Sequence, residues 1–332
     1  MSRPACNTAT PRHNRRVTFR RKLRGVGEAC LVGLALLIIP PLPRPVVVRL
    51  SRWLGALGFR LSRRDRRLAL ANLDVAFGDR LSAAEKTAIA RESFRTFALV
   101  VLDLFWFQMF SRARLARWVA FDASMDAYFQ PGPTVAVTAH FGNWEVMGLA
   151  TAARGAPPVS VAAPLNNPVV GRLLTRGRRG TGQAVVGKHG AVRALLRALR
   201  GGGKVALLID QNTLPAEGGR FVEFFGLPVP MSAAAARLSR HTQSDILPAF
   251  CVPDEGGGYR ACALPPYRPA GNDEREATQR LAALLEDVIR ADPGHWLWMY
   301  KRWKYVPPDG VRERYPFYAQ PVDAPAPRGG RR

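Results

Sequence analysis

Acidic residues are scarce in this chain: 25 Asp and Glu stand against 49 Lys and Arg, a net charge of +24 over 332 residues. A field of that sign draws polyanions, so nucleic acid, anionic lipid headgroups and acidic carriers are the candidate partners. Cysteine is scarce too. Cys6, Cys30, Cys251 and Cys262 form no CxxC pair, and no cysteine/histidine cluster has zinc-ligand spacing. No metal site is expected, nothing demands a disulfide, and a reduced cytoplasmic setting is the simpler reading. There is no G-x-S-x-G to mark a serine hydrolase. Gly187-Lys188-His189-Gly190 lacks the upstream glycine spacing and the Ser/Thr of a P-loop. No internal repeat is visible.

Also missing is an apolar run of the roughly 20 residues that a spanning helix needs. The apolar stretch from Ala29 to Ile39 is shorter, and Pro40-Pro41-Leu42-Pro43 stops it. Before it lies a basic segment with Arg12, Arg15, Arg16, Arg20, Arg21, Lys22 and Arg24. Basic-then-apolar resembles a signal peptide, but prolines and Arg44 follow where a small-residue cleavage site would be. The expectation is an uncleaved anchor that dips into one leaflet, its cationic flanks on anionic headgroups. An ordinary buried helix is the bland alternative. Arg49 to Arg67, with Trp53, Leu54, Leu57, Phe59 and Leu61 interleaved, reads as a second interfacial helix. The basic residues bracket apolar segments and no nucleic-acid-binding motif appears, so a nucleic-acid partner is not expected.

What is present suits a globular core, since 47% of residues are hydrophobic. Ser82 with Glu85 forms a capping-box signature before a long helix through Phe94, Phe97, Val101 and Phe105. From Thr134 the pattern changes. Short β-branched runs at Thr134–Ala139, Val159–Ala162 and Val205–Ile209 read as strands. Ile246–Val252 and Tyr259–Leu264 form a pair around a glycine turn. Helices are expected over Gly190–Arg200 and Ala277–Arg290. Alternating strands and helices argue for an α/β sandwich. The expected organisation is a basic N-terminus (1–24), a membrane-anchoring helical segment (25–68), the main domain (69–315) and a disordered tail (316–332).

The segment that carries chemistry is His140-Phe141-Gly142-Asn143-Trp144-Glu145. It follows a buried strand, and in open α/β sheets sites form beyond the carboxyl ends of strands. Gly142 permits a tight turn and Asn143 is a good N-cap. Glu145 then falls in the first helical turn, where its carboxylate is expected to fix the imidazole tautomer. The other ring nitrogen can take a proton from a substrate hydroxyl, which could attack a thioester without an acyl-enzyme. A strand-end histidine with no chemistry is the competing reading.

Six segments in order make the chain resemble the bacterial lipid A biosynthesis acyltransferase family, within the wider lysophospholipid and glycerolipid acyltransferases. They are Asn72-Leu73 with Phe77; His140 to Glu145; Pro164-Leu165-Asn166-Asn167-Pro168 leading to Arg178; Asp210-Gln211-Asn212; Phe221 to Gly226; and Trp296 to Lys304. The resemblance implies a central mixed sheet flanked by helices, with N-terminal membrane-associated helices. It implies His140 and Glu145 as the catalytic pair, with Arg178, Asp210, Asn143 and Asn167 as substrate-binding residues and no cofactor. Arg178 would hold an acceptor phosphate, which a forked guanidinium suits, and Asp210 would orient the site. Some relatives carry a second acid two residues after this aspartate; here Asn212 stands there. The implied reaction moves an acyl chain from an acyl carrier protein or coenzyme A thioester to a lipid hydroxyl, most simply on a lipid A precursor, at the cytoplasmic face of the inner membrane. Another glycolipid or aminolipid acceptor, or a thioesterase using the same pair, is the alternative.

Overall fold

The computed structural model describes residues 31–161, 168–187, 190–271 and 273–322. The basic stretch 1–24, Cys6, Cys30, Asn166, Asn167 and the tail from 323 lie outside the described residues.

Residues 31–38 are helical and end at the proline cluster. Helix α1 (Arg44–Leu61) follows, with Pro45 in its first turn. It is amphipathic: Val47, Ser51, Gly55 and Phe59, four residues apart, form its buried face. The expected single helix over 49–67 is instead two. Ser62 breaks it and caps α2 (Arg63–Phe77) through a hydrogen bond from Asp65 N. Helix α3 (Ala83–Trp106) begins at the expected capping box, with both Ser82 and Glu85 hydrogen bonds formed. It crosses α1 closely at Gly55, where an added Cβ would lie 2.5 Å from Arg95 Cα. Among the described residues no helix is long and apolar enough to cross a membrane.

After α4 (Ser111–Trp118) the chain builds a seven-stranded sheet in the order β1-β9-β8-β2-β5-β3-β4. Its strands are β1 (Val119–Phe121), β2 (Thr134–Thr138), β3 (Pro158–Val161), β4 (Ala184–Val186), β5 (Lys204–Leu208), β8 (Asp245–Pro253) and β9 (Tyr259–Ala263). Every pairing is parallel except β8 with β9, which makes the sheet mixed. A short α5 (Asp126–Phe129) precedes β2. Helices α6 (Trp144–Ala153), α7 (Pro168–Thr181) and α8 (Ala191–Arg200) connect the parallel strands. Between β5 and β8 come a hairpin, β6 (Gly219–Phe224) with β7 (Leu227–Ser232), and α9 (Ala234–Thr242). Phe225 and Gly226 form its two-residue turn with φ of 51° and 73°, the geometry of a type I′ turn. Helix α10 (Glu274–Ala291) and the small pairing of β10 (Tyr305–Val306) with β11 (Gln320–Pro321) complete the fold.

The alternation of β2 divides the core. Val135, Val137 and Ala139 join one apolar cluster with α2, α8, α10 and the tryptophans 296, 298 and 303. Ala136 joins the other, with the end of α3, α4 and α6. The C-terminal Trp-rich segment is core, since Trp296, Trp298 and Trp303 are fully buried. Asn72 holds it to α2, donating to the carbonyls of Trp298 and Tyr300, each at 2.7 Å.

Candidate active site

Strand β2 ends beside β5 in parallel register, Thr138 opposite Leu208. Two residues further on each strand stand His140 and Asp210, so the register itself brings them together. Asp210 Oδ1 lies 2.9 Å from His140 Nδ1, and its Oδ2 accepts from the His140 backbone N–H at 2.9 Å and from Trp296 Nε1 at 3.0 Å. The carboxylate is buried and triply bound, so it holds the ring with Nδ1 protonated and leaves Nε2 as the nitrogen whose lone pair can accept a proton. Gln211 Nε2 stands 3.5 Å from that nitrogen. The Trp144 ring sits edge-on to the imidazole, centroids 4.6 Å apart.

The turn after His140 is pinned. Gly142 has φ +59°, donates its N–H to His295 O at 2.9 Å, and approaches Cys251 so closely that a Cβ would lie 2.1 Å from the Cys251 carbonyl oxygen. Asn143 N donates to that carbonyl at 2.7 Å, and Asn143 Oδ1 caps α6 by accepting from Val146 N at 3.0 Å.

Two residues take other partners than the sequence reading gave them. Glu145 does not hold the imidazole. Capped by Asn143, α6 turns the Glu145 side chain toward α7, where Arg178 Nη2 donates to both its oxygens at 2.7 and 2.9 Å and Nε adds a third contact at 3.2 Å. Nor is Asn143 open to substrate. It is fully buried, and its Nδ2 donates to Tyr259 Oη at 2.8 Å and Asp103 Oδ2 at 3.3 Å. Asp103 also pairs with buried Arg44 and accepts from Tyr259, which ties α1 and α3 to the floor of the site. A lone acid in the apolar run Leu102-Asp103-Leu104 was the available signal for this network. Asn167 lies outside the described residues. Asn212 serves structure: its Oδ1 accepts from buried Arg302 Nη1 at 2.9 Å and its Nδ2 donates to Lys301 O at 2.9 Å.

Burial by itself favours the neutral imidazole, but the charge and hydrogen bond of Asp210, with a smaller contribution from Glu145, lift the His140 pKa above its ordinary value. Burial pushes the Asp210 carboxyl up, yet its bonds to His140 and Trp296 outweigh this and hold it below the usual carboxylate range. Cys251 is buried and burial pushes its thiol up, so it is no nucleophile. No group of metal-ligating side chains occurs among the described residues.

An apolar pocket lies between α6 and the sheet, and Trp144, whose ring meets the imidazole, forms part of its wall. Thr138, Trp144, Glu145 and Arg178 are part of its lining, with Tyr128 and Pro158. A second, polar cleft includes Arg64, Asn212, Tyr300, Lys301 and Lys304.

A strand-end imidazole paired with a buried carboxylate, on a mixed sheet flanked by helices, makes a candidate acid–base site on an α/β fold. The profile of the bacterial lipid A biosynthesis acyltransferases matches residues 16–305, and the chain belongs to that family. It is an acyltransferase. It is 29% identical over 277 residues to the lipid A biosynthesis palmitoleoyltransferase of Escherichia coli K12, covering 80% of this chain and 87% of the relative. Identity to the lauroyltransferase of the same organism is 25% over 293 residues, covering 86% and 93%. A solved structure, the 1-acyl-sn-glycerophosphate acyltransferase PlsC from Thermotoga maritima, aligns over 69% of this chain and 99% of that one with 14% identity and a TM-score of 0.34.

Proposed function

We propose that the protein transfers a fatty acyl chain from an acyl carrier protein or coenzyme A thioester to a hydroxyl of a lipid A precursor. The observation that carries this is the His140–Asp210 pair at the ends of β2 and β5, with Trp144 in ring contact with His140 and also lining an apolar pocket. The acyl chain lies in the pocket with its thioester carbonyl near Nε2. His140 Nε2 takes the proton from the acceptor hydroxyl as its oxygen attacks the carbonyl carbon. The C–S bond breaks as the new C–O bond is made, and the imidazolium returns its proton to the departing thiolate. Asp210 keeps the ring in the required tautomer and stabilises the imidazolium, as the carboxylate does in other acid–base pairs. No acyl-enzyme is formed.

Glu145 and Arg178 form the polar rim of the pocket. Their ion pair fixes the guanidinium, whose remaining donors face an anionic group of the acceptor or donor. Arg64, Lys301 and Lys304 line a separate cleft together with Asp65 and Glu217. The enzyme works at the cytoplasmic face of the inner membrane. Leu31, Leu34, Leu37 and Ile38 are 50–76% exposed and Trp53 and Leu61 are 61% and 68% exposed, an apolar surface suited to one leaflet. The test is lipid mass spectrometry of a deletion strain. Loss of one acyl chain from lipid A, restored by the wild-type gene, supports the acceptor assignment; unchanged lipid A with another glycolipid shortened by one chain replaces it.

A further inference from the structure

Among the described residues, four charged residues are no more than 2% exposed: Arg44, Asp103, Asp210 and Arg302. Arg44 and Asp103 pair with each other. The other two lack a partner of fixed opposite charge. Asp210 is bound to the His140 ring and to Trp296. Arg302 Nη1 donates to the amide oxygen of Asn212 at 2.9 Å and to Pro230 O at 3.0 Å. Its Nε and Nη2 have no hydrogen-bond partner, and among the described residues no carboxylate forms an ion pair with it. A buried cation without a counter-charge is costly. Two such charges of opposite sign offset each other when they stand within reach of each other's field, which is strong in a dry interior.

Asp210 and Arg302 are linked in two ways. Asn212, which Arg302 grips, is two residues beyond Asp210 on the same chain. Phe224 makes the second link. The guanidinium carbon lies 5.2 Å from its ring centroid, and 5.8 Å from that centroid is the ring of Trp296, whose Nε1 donates to Asp210. Burial brings the Arg302 pKa down to about 10, and Asp210 is the first of the groups that work against this, ahead of Tyr300 and Tyr318. We infer that Arg302 is a positioning residue for the His140–Asp210 pair: its charge keeps the carboxylate ionised and limits how tightly that carboxylate holds a proton on the imidazole. Without it the imidazolium would be the main counter-charge of Asp210, and the free base would appear only at higher pH. Asn212 belongs to the arrangement, because its neutral amide holds the guanidinium without cancelling the charge, as a carboxylate there would. The inference rests on the reading of His140 as the general base.

The test titrates the ring itself, by histidine-ring NMR on the full chain in detergent micelles, beside the pH profile of kcat/KM for transfer. The His140 signal is the one lost in His140→Ala. Asp210 and Glu145 are the charged groups that act on this ring, and His295, bonded to Asp292, gives its own signal. Burial pushes the Tyr300 and Tyr318 hydroxyls up, so both stay neutral over the range. Arg302→Gln removes the charge, and Asn212→Asp supplies a counter-charge with the guanidinium in place. Each should raise the His140 midpoint by about one pH unit, the effect of one unit charge nearby, and carry the ascending limb of kcat/KM with it. Asn212→Ala removes the side-chain hydrogen bonds of that residue without changing any charge, and should leave the midpoint where it is. Should Arg302→Gln fail to fold, the two Asn212 variants decide. A midpoint that stays put in Asn212→Asp, or moves equally in Asn212→Ala, would make Arg302 a structural residue only and overturn the inference. A midpoint that moves as expected while the kcat/KM limb stays fixed in every variant supports the charge arrangement and sinks the general-base reading instead.

Discussion

The Nδ1 of His140 lies 2.9 Å from Oδ1 of Asp210, seventy residues away, while Glu145, five residues away, is held by Arg178. The parallel register of β2 and β5 makes the first relationship, and the Asn143 cap on α6 makes the second. The ring is therefore tuned by Asp210 more than by its neighbour in sequence.

This division fixes a pH dependence. The raised His140 pKa keeps the ring protonated to higher pH, so the free base appears only above the ordinary imidazole value of about 6.5. The ascending limb of kcat/KM should therefore lie above that value. Asp210→Asn removes the main raising influence and leaves burial, which favours the neutral ring. Its limb should move to lower pH while the rate falls roughly 10²- to 10⁴-fold. An unmoved limb in Asp210→Asn would show that some other group titrates.

Glu145 and Arg178 should behave as one unit. Single replacements Glu145→Gln and Arg178→Ala should each reduce transfer, and the double variant should be little worse than either, a coupling of about 1–3 kcal/mol. Arg178→Lys should recover only part, because an ammonium cannot make the forked contact. Arg176→Ala and Arg179→Ala, both exposed, are the controls and should change little. Strict additivity of the first pair would contradict the shared role.

The turn itself should prove fragile. Asn143→Ala removes a helix cap and a buried donor and should cost about 1–3 kcal/mol in unfolding free energy. Gly142→Ala should cost more, because its Cβ meets the Cys251 carbonyl at 2.1 Å with φ at +59°. Urea unfolding measures both. An Asn143→Ala protein of native stability with only a raised KM would return Asn143 to a substrate-binding role.

The strand–turn–helix around His140 could be read directly, because a buried β-branched run, a glycine and a capping asparagine are local signals. Asp210 could be placed at a strand end by the same means. Its pairing with His140 could not, since that depends on which residue of β5 lies beside Thr138, and no local pattern fixes a register across seventy residues. Nearness in sequence then made Glu145 the obvious partner. The Trp296–Lys304 segment was ambiguous for another reason. Its alternation of aromatic and basic residues suits a membrane belt as well as a core. Burial of Arg302, which donates to Asn212 and the Pro230 carbonyl, and of Trp296, Trp298 and Trp303 settles it as core.

At the membrane, Leu34→Glu with Leu37→Glu should move the protein toward the supernatant when it is spun with anionic vesicles, because both side chains are more than half exposed. Added salt should weaken wild-type binding, through screening of the basic surface. Equal binding to neutral and anionic vesicles at all salt concentrations would contradict the electrostatic part.

The most direct measurement is acyl transfer by His140→Ala, with a thioester donor and a lipid A precursor as acceptor, on protein whose unfolding curve matches wild type. The account predicts a fall of at least roughly 10²- to 10⁴-fold, the range expected when a general base is removed. Transfer near the wild-type rate would show that the hydroxyl is activated elsewhere and would contradict the central role given to His140.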